Sequence, residues 1–304
     1  MDSNALISAL QNGLAIESSA VSAIVGALIT TIFLRRDTSV QEFEKVKAGM
    51  FEDVIESLLK SGKMSYMEFY KCKNFLQIAK IADRVYKEEY SDNTEKETEH
   101  DFDWFARFFE YASNIGNEEM QLIWGAIMAG EINAPGKTSF SLLHALFMMR
   151  KEQIDLFGEV CKFSMLDVED LKPQLFVYLA AHRDMFKRRG ITPSSLKGLE
   201  RLGLIECDFK NGYIFENKKV LRAGNKQIII YGNPSDFKKV KVGNAKLTED
   251  GYALYSMIDA TYKKYRADYV NFIIECLHAH GCTIYVNGKL SAMQTVLLQT
   301  EHMS

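Results

Sequence analysis

Proline is scarce, with four in 304 residues, which argues against proline-rich recognition tracts and leaves long stretches free to form helices. Tryptophan is scarcer still: Trp104 and Trp124 are the only two. Neither charge nor apolar content is extreme. Charged residues make up 25%, hydrophobic ones 47%, and the net charge is −3, values that exclude a disordered chain and an overall polycation. The five cysteines, Cys72, Cys161, Cys207, Cys276 and Cys282, are odd in number and widely spread. They do not form a disulfide framework, and a reducing cytosol is the compartment they fit. Asp2 stands where a secretory signal has its positive region, and no small-residue cleavage site precedes Arg35 and Arg36, so no cleaved signal is expected.

What is present is unevenly distributed. Residues 183–246 carry 15 basic and 6 acidic side chains, against 18 and 28 in residues 1–182. A charge segregated in this way says more about partners than the total does. Ser18–Leu34 has no charge over 17 residues, a length of about 25 Å as a helix where a bilayer core needs about 30 Å. Two readings stand for it: a marginal membrane span with the body in the cytosol, or a buried or oligomerising helix.

The periodicity predicts a mainly α protein, a helical bundle followed by a winged-helix-like α+β module. Four segments are expected: an N-terminal hydrophobic helix in 1–39, a helical domain in 40–165 with an acidic linker at 88–103, a winged-helix-like domain in 166–262, and a C-terminal helix and strand in 263–304. Within the helical domain, a break is expected near Ser61 and Gly62, an N-cap at Asn117 and a helix end at Gly130. Leu171–Arg189 reads as helical. Pro193 then opens a helix ending in LERLGLI, strand-like runs follow at 213–215, 227–231 and 240–242, and Thr248 caps LTEDGYAL. Helix, LERLGLI, wing and LTEDGYAL is the order found in winged helix-turn-helix modules.

No catalytic constellation emerges. Gly136, Lys137 and Thr138 match the second half of a phosphate loop, but Glu131 stands where the first glycine belongs. Glu131, following Gly130, is placed to accept backbone hydrogen bonds. The run C-L-H-A-H-G-C, Cys276–Cys282, matches no usual zinc spacing, and neither metal nor cofactor is implied. His144, among Leu142, Leu143, Leu146 and Phe147, reads as a core or interface histidine. The basic region carries the polyanion candidates. Lys187, Arg188, Arg189, Lys197 and Arg201 lie on or beside the helix that would enter a DNA groove, with Lys218, Lys219, Arg222, Lys226, Lys238, Lys239 and Lys241 in the wing.

Asp103–Phe140 contains DWFARFFEYA, NEEMQLIWGAIMAGEI and PGKTSF. In these phrases the chain resembles a bacterial family of unknown function that is itself similar to abortive-infection proteins of the Abi-alpha type. The resemblance is most specific at Trp104, Glu119, Gln121, Trp124, Ala129, Gly130, Glu131, Pro135, Gly136 and Ser139, and it extends loosely over residues 40–260. It implies phage defence or a related stress response and assigns no catalytic residue. The signature also has a packing account, in which Trp104 and Trp124 fill the helical block while Gly130, Pro135 and Gly136 shape a turn. The expected function is a non-enzymatic defence component acting through a protein partner, self-association or the inner membrane at residues 18–34. A DNA-binding winged-helix regulator is the alternative.

Overall fold

The computed structural model describes residues 43–90, 101–169, 171–176, 183–232, 239–258, 266–279 and 281–291. The apolar segment Ser18–Leu34 and residues 91–100 of the acidic linker lie outside that set. The chain divides into two compact units, 1–147 and 148–304.

The first unit is helical: α1 Phe43–Lys60, α2 Tyr66–Tyr90, α3 Phe102–Ala112, α4 Glu118–Asn133 and α5 Phe140–Met148. The break between α1 and α2 falls at Ser61 and Gly62, where Gly62 takes a φ of 72° that a side chain would disfavour. Ser65 then opens α2 reciprocally with Glu68. The Ser65 amide donates to the Glu68 carboxylate at 2.8 Å and the Glu68 amide donates to Ser65 Oγ at 3.3 Å, so two of the helix's orphan donors are satisfied by side chains. Asp101 caps α3 and Asn117 caps α4. Along α2 the buried residues Cys72, Phe75, Leu76, Ile78, Ala79, Ile81 and Ala82 recur at helical spacing and build the core of the unit. Against them α4 brings Gly125, where a Cβ would sit 2.4 Å from Ile81 Cγ2, so the glycine is what lets the two helices approach.

The second unit begins with α6 Lys151–Cys161. It then carries more sheet than the expected winged α+β module. Strands β1 Ser164–Asp167, β2 Lys172–Leu175, β5 Lys218–Ala223, β6 Lys226–Tyr231, β9 Thr283–Val286 and β10 Lys289–Leu290 form one antiparallel sheet ordered β10-β9-β6-β5-β1-β2. Leu171–Arg189 is therefore not one helix. Lys172–Leu175 pairs with β1, and only α7 Arg183–Lys187 is helical among the described residues. The segment enters the sheet as an edge strand beside β1, its neighbour in sequence.

The remaining elements are α8 Pro193–Arg201, β3 Ile205–Cys207, β4 Tyr213–Glu216, β7 Lys239–Gly243, β8 Ala245–Leu247, α9 Glu249–Met257 and α10 Ala267–Ala279. Strand β3 pairs with β8 and β4 with β7. The expected wing is thus interrupted: β5 and β6, which lie between β4 and β7 in sequence, leave it and enter the six-stranded sheet. Gly203, at a φ of 75°, reverses the chain after α8. Thr248 joins α9 to that reversal, its hydroxyl donating to the Gly203 carbonyl at 2.5 Å and its amide to the Leu204 carbonyl at 3.2 Å. The phrases LERLGLI and LTEDGYAL meet there. Elsewhere in the unit, Phe163, Phe186, Tyr269 and Phe272 pack as an aromatic core with ring centroids 5.1–6.5 Å apart.

Candidate functional site

In the first unit Glu131, Gly136 and Ser139 shape the turn between α4 and α5, and Trp104 reaches it. Glu131 lies in the last turn of α4, which runs three residues past Gly130 to Asn133 instead of ending at the glycine. Only 2% of Glu131 is exposed. Its Oε1 accepts from the Gly136 amide at 2.6 Å and its Oε2 from the Thr138 amide at 2.9 Å. Gly136 takes a φ of 79°, which turns its amide back towards the helix. Ser139 Oγ accepts from the Leu142 amide at 2.9 Å and starts α5.

The turn is also tied to the aromatic core. Trp104 Nε1 donates to the Thr138 carbonyl at 2.8 Å, Trp104 stacks on Phe108 at 5.0 Å, and Phe108 meets Trp124 edge-on at 5.3 Å. Gln121 donates to the Ile115 carbonyl at 2.9 Å, and the Gly130 carbonyl accepts from the Ala134 amide at 3.0 Å. The two bonds to the Glu131 carboxylate are charge-assisted, which makes them the strong ones of this set. They also answer the phosphate-loop reading: the Gly136 and Thr138 amides that would cradle an anion are already taken by the Glu131 carboxylate.

His144 is not a core residue; it is exposed on α5, with Nδ1 3.5 Å from the Tyr111 hydroxyl. At the end of α10, His278 Nδ1 donates to the Cys282 carbonyl at 3.1 Å while His280 lies outside the described residues. Among the described residues, no group of three or more His, Cys, Asp or Glu could hold a metal ion. Burial pushes the thiols of Cys72, Cys207, Cys276 and Cys282 up to about 11, and burial likewise raises Cys161. Neutral thiols at pH 7 are poor nucleophiles and poor ligands.

The basic candidates separate into engaged and open side chains. Lys219 forms an ion pair with Asp167, which is fully buried, and its Nζ lies 3.5 Å from the Glu169 carboxylate. Lys197 pairs with Glu200 and lies 5.6 Å from the centre of the Phe209 ring. Hydrogen bonding to Lys197 and then to the Cys207 amide holds the Glu200 carboxyl below its ordinary range, so Glu200 ties α8 to β3. Arg189 lies 3.6 Å from Glu159. Lys187, Arg188, Arg201 and Lys218 are exposed and make no ion pair among the described residues. Lys218, Lys219, Arg222 and Lys226 sit in the six-stranded sheet and not in a wing. Lys239 and Lys241 are in β7, and Lys238 lies outside the described residues.

The family described as "Protein of unknown function (DUF2806)" matches residues 63–273. The chain belongs to this family. The match takes in the Glu131 turn, the α8 helix and both short strand pairs. No curated protein and no solved structure matches the chain.

Proposed function

We propose that the chain is a non-enzymatic component of a bacterial defence response of the abortive-infection type, acting through a protein partner or a second copy of itself. One observation carries this reading: at the start of α2, Tyr66 and Met67 are 72% and 62% exposed and Tyr70 follows on the Tyr66 face one turn later. Three large apolar side chains grouped at a helix end are more than scattered surface residues require, and such groups mark interaction sites. The Glu131 turn supports the same reading, because the signature's one buried carboxylate is committed to backbone amides.

The test is the pair Tyr66→Ser with Met67→Ser. The variant is expected to fold with unchanged melting, because both side chains are already in water, and to lose protection of the host against phage by at least about 10-fold, the scale of one interface anchor. Unchanged protection at equal protein level would reject the patch. For Ser18–Leu34, attachment to the inner membrane is part of the proposal. Among the described residues no helix is long and apolar enough to cross a membrane, and a carbonate wash that releases all of the protein would remove that part.

The second reading is a duplex-DNA-binding winged module. It is favoured by α8, β3 paired with β8, β4 paired with β7, and α9 following in that order, and by the open cations Lys187, Arg188 and Arg201. Duplex affinity that falls steeply with salt would support it.

A further inference from the structure

The six-stranded sheet has one face closed by the core. Leu221, Ala223, Ile228, Ile230 and Ile284 are all buried. Strand alternation places the intervening side chains on the opposite face, where the register draws a row across four strands: Val220 opposite Ile229, Ile229 opposite Tyr285, and Tyr285 opposite Leu290. Beside that row Tyr231 meets Tyr285 edge-on at 5.9 Å, and Lys218 Nζ lies 5.8 Å from the centre of the Tyr231 ring. On the row's other side stands exposed Arg222, opposite Gln227. Tyr231, Leu290, Lys218 and Arg222 are exposed, while Val220, Ile229 and Tyr285 are half-buried.

A sheet face that merely meets water carries polar residues at these positions. This one carries two phenol rings and aliphatic neighbours. Its cations are Lys218 and Arg222, and the positions from 218 to 231 on this face include no carboxylate. Rings for stacking and cations for phosphates are the two requirements of a single-stranded nucleic acid site. Four strands span about 15 Å at about 4.8 Å per step, room for two or three unstacked bases.

We propose that this open face of β5, β6, β9 and β10 binds single-stranded nucleic acid, with Tyr231 and Tyr285 stacking on bases and Lys218 and Arg222 holding phosphates. The site shares no residue with the α8 surface of the duplex reading or with the α2 patch, and the proposal depends on neither.

The experiment is fluorescence anisotropy of the full chain with labelled oligo(dT) and oligo(U) of about 12 nucleotides and with a duplex of equal length. Tighter binding of a single strand than of the duplex is expected, and the two single strands distinguish DNA from RNA as the source. Tyr231→Ala with Tyr285→Ala weakens binding by at least about 10-fold, while Tyr231→Phe with Tyr285→Phe keeps it, since stacking does not need the hydroxyls. Lys218→Gln with Arg222→Gln lowers the slope of log affinity against log salt by about 1.4, or about 0.7 for each phosphate no longer neutralised. Those charge variants, at exposed positions, decide the matter even if the alanine pair fails to fold. The proposal is overturned by no binding of either single strand at low salt. Tighter binding of the duplex would also overturn it, as would affinity that survives all the sheet variants but disappears in Arg188→Gln with Arg201→Gln.

Discussion

Lys219→Met destabilises the second unit by about 3–5 kcal/mol, the usual cost of stripping one partner from a buried ion pair. Asp167 is fully buried, and Lys219 is only 16% exposed at its side chain. Asp167 keeps hydrogen bonds from the Glu169 amide at 3.0 Å and Gln174 Nε2 at 2.8 Å, but neither neutralises its charge. The cost belongs to the uncompensated carboxylate and not to the missing lysine. Asp167→Asn added to Lys219→Met should therefore recover more than half of the loss in denaturant unfolding, because the amide removes the charge and still accepts from Glu169. If Lys219→Met left stability unchanged, Lys219 would instead be available to a polyanion.

Gly251→Ala should cost at least about 3 kcal/mol, the upper end of the range for forcing atoms into a filled space. The added Cβ would lie 1.8 Å from the Leu204 carbonyl oxygen and 2.8 Å from its carbon. Backbone cannot swing aside as a side chain can, and the same carbonyl accepts from the Thr248 amide. The added methyl must push α9 away from the chain reversal at Gly203. Gly198→Ala, in α8, is the control. Nothing lies within 4 Å of its Cβ, so the substitution should stabilise by about 0.5–1 kcal/mol through helix propensity alone. Opposite shifts in melting temperature for the two substitutions would confirm that α9 is held by backbone contact. Equal shifts would contradict it.

Local chemistry is legible in the sequence wherever one residue's side chain decides the backbone. The break at Ser61 and Gly62, the caps at Asn117 and Thr248 and the reversal at Gly203 all follow from residue type at a chain end. Strand partners are not legible. SMLD and KPQL are four residues long and do not alternate cleanly; they pair with each other as sequence neighbours, while the pairing of SMLD with β5 is a long-range decision. The string KKVLRA reads as basic wing sequence outside the strand-like runs at 213–215 and 227–231. It becomes a strand because Ile228–Ile230 beside it needs a partner, and this alters what its charges mean: Lys219 turns inward to Asp167 while Lys218 and Arg222 remain outside.

The candidate sites divide along the same line. Glu131 is identifiable as a hydrogen-bond acceptor because it follows Gly130 near a helix end. Its actual donors, Gly136 and Thr138, are set by a turn whose path only Pro135 and Gly136 announce. His144 sits among leucines in sequence, yet α5 buries Leu142, Leu143 and Leu146 and leaves the histidine on the opposite side. The open sheet face carries no local signal, because Tyr231, Tyr285 and Leu290 come together through strand register.

Glu131, with Gly136, Thr138 and Trp104, holds together the turn between α4 and α5. Denaturant unfolding of Glu131→Gln tests this role most directly. The amide offers a single acceptor oxygen to two backbone amides, so a loss of about 2 kcal/mol or more is predicted. Unfolding indistinguishable from that of the unsubstituted chain would mean that the carboxylate is not needed by the turn, and would contradict the account.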